Sequence, residues 1–382
     1  MSSYMNICDV DGAGSRFLHN QLDKTSPSRR YGYDVLRVAC ALTVCVYHYE
    51  CTMAKVIGGG SVSELALRAF RDVLGIGLDA GSIAVCLFFM LSGALACETT
   101  SNNEKFTVAG YAKHRALRLL PPLWLSWLLI AVWYAARGSF HFQVPAWRFI
   151  FTVLGLDGYV SYGLNLGGTF YYCGEWFYGA IVLVTLIWPL ARFVLRKYGR
   201  VAMITPVLGA ELLAAAIFGT DGTILWRSLP VCLASFLMGA LISTLDFATN
   251  VRRKAGVLLV ILLLGFAPSP LADTIRIQLL SAGVFGLIEL REQFIARNVV
   301  QRGPAKKDRV HRIIVRLSSL TLYFFMYQFA VIRWLVPIAS GAIDYTFGTF
   351  DYVGLALIVV MITLLAAALT QRLEQGIRAF LA

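Results

Sequence analysis

Apolar runs close to twenty residues long recur from about position 33 to about position 370, separated by short polar or basic stretches. A helix needs about 20 apolar residues to cross a hydrocarbon core. Inside that core only helices and closed barrels satisfy their own backbone groups, and runs of this length select helices. Ten spans are expected, at about 33–53, 78–98, 119–136, 171–191, 201–219, 225–245, 256–271, 273–290, 313–339 and 352–370. The seventh and eighth are the weakest, since only the Pro-rich turn FAPSPLAD joins them and Arg276 stands near the start of the eighth. With 58% hydrophobic and 15% charged residues, the chain departs from a soluble domain, which carries about a quarter charged residues. A typical soluble enzyme, a disordered chain and a disulfide scaffold are all excluded. The fold class expected is all-α, a polytopic transmembrane helical bundle.

The net charge is +12. In a soluble protein that excess suggests nucleic acid; here its distribution assigns it to topology, and no nucleic-acid partner is expected. Of the 34 Lys and Arg, 26 fall in 1–37, 99–118, 192–200, 246–255, 291–316 and 371–382. Cytoplasmic loops collect such residues, so an even number of spans with both termini cytoplasmic is expected. Residues 1–30 then form a cytoplasmic tail without a signal-peptide apolar core, ending in Arg29 and Arg30. Residues 31–372 form the membrane domain, and 373–382 a short cytoplasmic tail. The basic loop 291–316 also suits anionic membrane lipid. Eight cysteines form no CxxC pair and lie mostly in apolar runs, as small hydrophobes do, so neither a metal site nor a disulfide framework is expected. No long internal repeat supports a transporter built from inverted repeats.

Ionisable residues within a span are costly and point to function. The first run, YDVLRVACALTVCVYHYECTM, carries Asp34, Arg37, His48 and Glu50. Eleven residues of helix turn through roughly three full turns plus 20°, so Arg37 and His48 share one face about 16 Å apart. That suits a long, thin ligand with an anionic end at the cytoplasm and a reactive end in the bilayer. An acyl-CoA fits, its phosphates at Arg37 in the first helical turn and its thioester at His48. In KHRALRLLPPLW, Arg115 and Arg118 lie three apart at the edge of the third run, a second candidate phosphate clamp. Ser92 and Gly93 of FFMLSG are small enough for close helix approach. In GEWFYG, Glu175 is a candidate to orient a sugar that Trp176, Phe177 and Tyr178 would stack on, against the competing reading of an interfacial aromatic belt. Glu50 points away from His48 on its helix, and Glu211 is a buried acid whose partner the sequence does not name.

The ordered set DVLR…YHY, LFFMLSG, RALRLLPPLW and WFYGAIVLVTLIWPL, with a weaker echo in LPVCLASFLMGALI, resembles the membrane acyltransferase family 3. The resemblance implies a ten-helix protein that O-acylates cell-surface or secreted glycans. Arg37 and His48 match the family's signature pair, Arg115 and Arg118 its paired arginines, and Phe88, Phe89, Ser92 and Gly93 its phenylalanine-rich motif. In YFFMYQFAVI, Gln328 holds a place where the family often has a histidine, which leaves His48 as the intramembrane one. Many members carry a C-terminal esterase-like domain; here transfer is expected to be completed by the membrane domain. The function implied is an O-acetyltransferase of the bacterial inner (cytoplasmic) membrane. It would use cytoplasmic acetyl-CoA, and its acceptor would be an exopolysaccharide, O-antigen or lipid-linked oligosaccharide. His48 and Arg37 would be catalytic; Arg37, Arg115, Arg118 and Ser92 would hold acetyl-CoA; Glu175, Trp176 and Tyr178 would hold the sugar. A general-base histidine and an acetyl-histidine relay both remain open. The alternative is a lipid-linked sugar flippase or other polytopic transporter, which needs no histidine three turns above an arginine.

Overall fold

The computed structural model describes residues 30–57, 77–101, 105–138, 145–163, 173, 176–219, 227–247, 249–267, 272–302, 309–342 and 349–381. Among them are ten helices of 15 residues or more: α1 Tyr31–Ile57, α2 Ala80–Ser101, α3 Val108–Ala136, α4 Trp176–Ala202, α5 Ile204–Phe218, α6 Leu229–Ser243, α7 Val251–Phe266, α8 Asp273–Arg302, α9 Arg309–Ala342 and α10 Thr349–Leu381. They answer one for one to the ten apolar runs, and no strand occurs among the described residues. Local chemistry sets several ends. Thr107 caps α3, its side chain accepting from the Gly110 amide at 3.1 Å. Pro230 sits in the first turn of α6, where its missing N–H costs nothing. Gly219 ends α5 with φ of 64°, a conformation that favours glycine.

Five helices (α2, α3, α4, α9 and α10) are long and apolar enough to cross a membrane. The outer faces agree, for α10 exposes Leu357, Met361, Leu365 and Leu369, one per turn. A continuous apolar stripe of this kind belongs against lipid rather than water. In α1 the apolar run is interrupted by Asp34, Arg37, His48 and Glu50.

Contacts between helices show that their directions alternate along the chain. Tyr47 of α1 meets Gly81 near the start of α2, and Tyr33 meets Glu98 near its end, so these two run antiparallel. Arg37 meets Ser318 and His48 meets Phe329, the same spacing on both helices, so α1 and α9 run parallel. The α9–α10 pair is antiparallel through Tyr323 with Glu374 and Tyr327 with Thr370. The doubtful pair α7–α8 is an antiparallel hairpin in which Gly265, Gly283 and Gly286 lie against Leu280, Leu262 and Leu258.

Two hydrophobic cores fill the bundle. One joins α2, α4, α6 and α8, and the other joins α3, α9 and α10. Helix α1 lies between them, giving Leu36, Cys40 and Val44 to the first and Ala41, Cys45 and Tyr49 to the second. The first core closes on a backbone contact between α2 and α6. A Cβ on Gly93 would lie 1.8 Å from the Phe236 carbonyl oxygen, and one on Gly239 would lie 1.9 Å from that of Met90. Small residues allow this approach, and van der Waals contact then holds helices that lipid alone would not drive together. Gly93→Leu or Gly239→Leu is therefore expected to cost at least about 1–3 kcal/mol of stability in detergent. Gly209→Ala and Gly376→Ala, where an added Cβ meets nothing within 4 Å, should be neutral or slightly stabilising in the same unfolding assay.

Candidate active site

Helix α1 presents its ionisable line to the protein interior. Its exposed residues Val35, Ala39 and Leu42 lie roughly 140–200° around the helix from Arg37. His48 falls within about 20° of Arg37, between Val44 of one core and Ala41 of the other. Arg37 and His48 thus face the seam where the two cores meet.

At one end of that seam Arg37 is 22% exposed and tied to a buried pair. Its Nη1 donates to Ser318 Oγ at 2.9 Å and to Asp34 Oδ1 at 3.3 Å. Ser318 Oγ in turn donates to Asp34 Oδ1 at 2.6 Å. The carboxylate one turn away fixes the guanidinium's direction and offsets its charge. Deeper in the seam, the half-buried His48 ring is flanked edge-on by Tyr47 and Phe329, each with centroids 5.6 Å away. Thr52 Oγ1 donates to the His48 carbonyl at 2.8 Å. Two rings and a packed helix face restrict the imidazole plane, as a site that must aim one nitrogen requires.

The second arginine pair stands on α3, near the same end of the bundle. Arg115 Nε donates to Tyr111 Oη at 3.1 Å, and its guanidinium lies 5.3 Å from the centre of that ring. Arg118, one turn on, is exposed. Just beyond, Pro121 and Pro122 remove two backbone donors inside the helix and free the carbonyls of Leu117 and Arg118. Arg378 of α10 donates to the Leu117 carbonyl at 3.0 Å, and Tyr178 donates to that of Leu119 at 2.6 Å. Pro121 therefore opens the Leu117 carbonyl to the Arg378 clamp, while Tyr178 adds a second bond at Leu119 beside the arginine segment. Arg37 and the α3 pair share no element, but α9 and α10 pack against both α1 and α3.

The other candidates divide. Ser92 is half-buried, on the partly open stripe of α2 that also carries Phe88 and Leu95, whereas Gly93 faces the α6 contact. Trp176 and Tyr178 are both buried, and the Tyr178 hydroxyl is used on Leu119. Phe177, between them, touches Phe89 and Phe325 with centroids 4.9 Å away in each case, joining α2, α4 and α9 within the first core. Glu175 lies outside the described residues. Glu211 gains its partner, the Gln278 side-chain amide at 2.6 Å. No group of three His, Cys, Asp or Glu among the described residues is placed to hold a metal ion.

Sequence reasoning missed the ionic cluster at the end of the bundle where α1 begins. Arg30, expected to close a basic tail, instead donates to both oxygens of the fully buried Glu289 at 2.6 Å and pairs with Glu98 at 2.9 Å. Tyr33 Oη donates to Glu289 at 2.6 Å, as Gln293 does at 2.7 Å. Glu292 accepts from the Gly32 amide at 3.0 Å. Acids at 98, 289 and 292 inside or beside apolar runs were the available signal, but their partners lie on distant helices. Removing one member of a buried charge pair costs about 3–5 kcal/mol. Glu289→Ala is expected to approach that loss in a detergent unfolding measurement, and Tyr33→Phe to lose about 1 kcal/mol.

Comparison with known families agrees with the motifs. A family model described as an acyltransferase domain matches residues 30–372, almost the whole chain. No curated protein matches the chain, and no solved structure does.

Proposed function

Because the chain belongs to the acyltransferase-3 family of membrane proteins, we propose that it is an integral-membrane O-acyltransferase carrying acetyl from cytoplasmic acetyl-CoA to a hydroxyl of a cell-surface or secreted glycan. The observation that carries this reading is the inward-facing line from Arg37 to His48 along the seam between the two cores. All ten helices cross the membrane, with both chain ends cytoplasmic in a bacterial inner membrane. The alternating directions suit an even count, and the 26 Lys and Arg of the assigned inner segments suit that orientation. The membrane domain is 31–372, and 1–30 is a cytoplasmic tail. Residues 373–381 continue α10 and dock on α3 through Arg378.

Arg37, Arg115 and Arg118 hold the anionic end of acetyl-CoA at the cytoplasmic mouth, and Ser92 lines its path on α2. Guanidinium forks match phosphate geometry, which makes arginine the fitting residue for that task. Asp34 and Ser318 position Arg37. His48 takes the proton of the acceptor hydroxyl as its oxygen attacks the thioester carbon. The carbon–sulfur bond then breaks, and the proton passes to the departing thiolate. Glu175, Trp176 and Tyr178 form the acceptor's side of the site, with the two buried aromatics shaping it from behind.

Proteoliposomes containing the purified protein, radiolabelled acetyl-CoA and a membrane fraction bearing the glycan test this reading. His48→Ala should lower acetyl transfer by about 10²–10⁴-fold with folding retained. Arg37→Ala should chiefly raise the KM for acetyl-CoA. Transport of lipid-linked sugar without label on the glycan would contradict the enzyme reading and favour a flippase. A fluorescent reporter fused after Ala382 should mature in the cytoplasm.

A further inference from the structure

Gln328 on α9 is wholly buried, and neither its Nε2 nor its Oε1 has a hydrogen-bond partner. Buried side-chain amides are almost always paired, so one that is not calls for an explanation such as a ligand it awaits. Its place on the helix supplies one. Residues three and four apart on a helix are neighbours, and Gln328 follows Phe325 by three and Phe324 by four. Phe325 belongs to the first core and Phe324 to the second. The next residue, Phe329, touches His48. Val331 and Ile332, three and four on, also belong to the second core, so Gln328 lies at the edge of that core where Phe325 borders the first, and at the depth of the imidazole.

We propose that Gln328 is a further catalytic residue, whose Nε2 donates to the carbonyl oxygen of the acyl group under transfer. This rests on the acyltransferase reading above. As the acceptor oxygen bonds to the acyl carbon, the carbonyl electron pair moves onto the oxygen, and the Gln328 amide stabilises that negative charge. Collapse restores the carbonyl and expels the CoA thiolate, while His48 carries the hydroxyl proton. Glutamine stays neutral throughout, so the step needs no further reactant. A donor fixed in a dry interior before reaction stabilises an oxyanion more than the same group in water, because nothing must reorganise as the charge forms. The apolar walls around Gln328 provide that setting.

The proteoliposome assay with radiolabelled acetyl-CoA tests it. Gln328→Met keeps the shape of the side chain and removes the donor. It should lower kcat by about 10²–10³-fold, with the KM for acetyl-CoA within about threefold of wild type and thermal stability unchanged or raised. Gln328→Glu should lose transfer similarly, whereas Gln328→His, which retains an N–H donor, should keep at least about tenfold more activity than Gln328→Met. Folded Gln328→Met protein that transfers acetyl at the wild-type rate would overturn the proposal, as would losses in Gln328→Glu and Gln328→His that follow falling stability instead of donor content. If wild-type protein labels no glycan at all, the acyltransferase reading itself fails, a result distinct from normal wild-type transfer with normal Gln328→Met transfer.

Discussion

An arginine and a histidine on one apolar helix must find polar or packed surroundings, and α1 provides them by lying between two hydrophobic cores. Its Val35–Ala39–Leu42 side faces outward, and the opposite side runs along the seam. The two cores are joined by α1 and by α9, which gives Phe325 to the first and Phe324 to the second. Burial of Arg37 then becomes tolerable because Asp34 and Ser318 come with it. Unpaired, a charge at that depth would cost several kcal/mol.

The same economy of paired charges operates at the end of the bundle where α1 begins. Arg30, Tyr33, Glu98 and Glu289 bind α1, α2 and α8 into one corner, and Arg378 with Glu374 does the same for α3 and α10, with their contact at 2.5 Å. The α3 arginines stand on a segment in which the Leu117 carbonyl, freed by Pro121, is taken up by Arg378 of α10, and Tyr178 of α4 donates to Leu119 close by.

Much of this was legible in the sequence, because membrane helices announce themselves by apolar length and the Arg37–His48 face follows from helical periodicity alone. The long helices matched the apolar runs, although α3 begins at Val108 rather than near 119, since its first turns are basic and amphipathic. What stayed hidden were contacts between helices. No local spacing links Tyr33 to Glu289, 256 positions away, or Asp34 to Ser318, 284 positions away. Tyr178 is read from the sequence as a sugar-facing ring, and its hydroxyl's bond to the Leu119 carbonyl could be seen only once α4 was docked. Gln328 likewise drew notice in the sequence only as a departure from a motif, and its unpartnered burial depends on the neighbours that α9 meets.

The most direct test of the seam is its occupancy by the donor. An acyl-CoA whose acyl group carries a photoreactive diazirine, irradiated with the protein in proteoliposomes, should attach to residues 44–52 of α1 and 325–332 of α9 when the peptides are read by mass spectrometry. Competition by unlabelled acetyl-CoA should remove the signal. Label confined to the lipid-facing side of α1, at Val35, Ala39 or Leu42, would contradict the account.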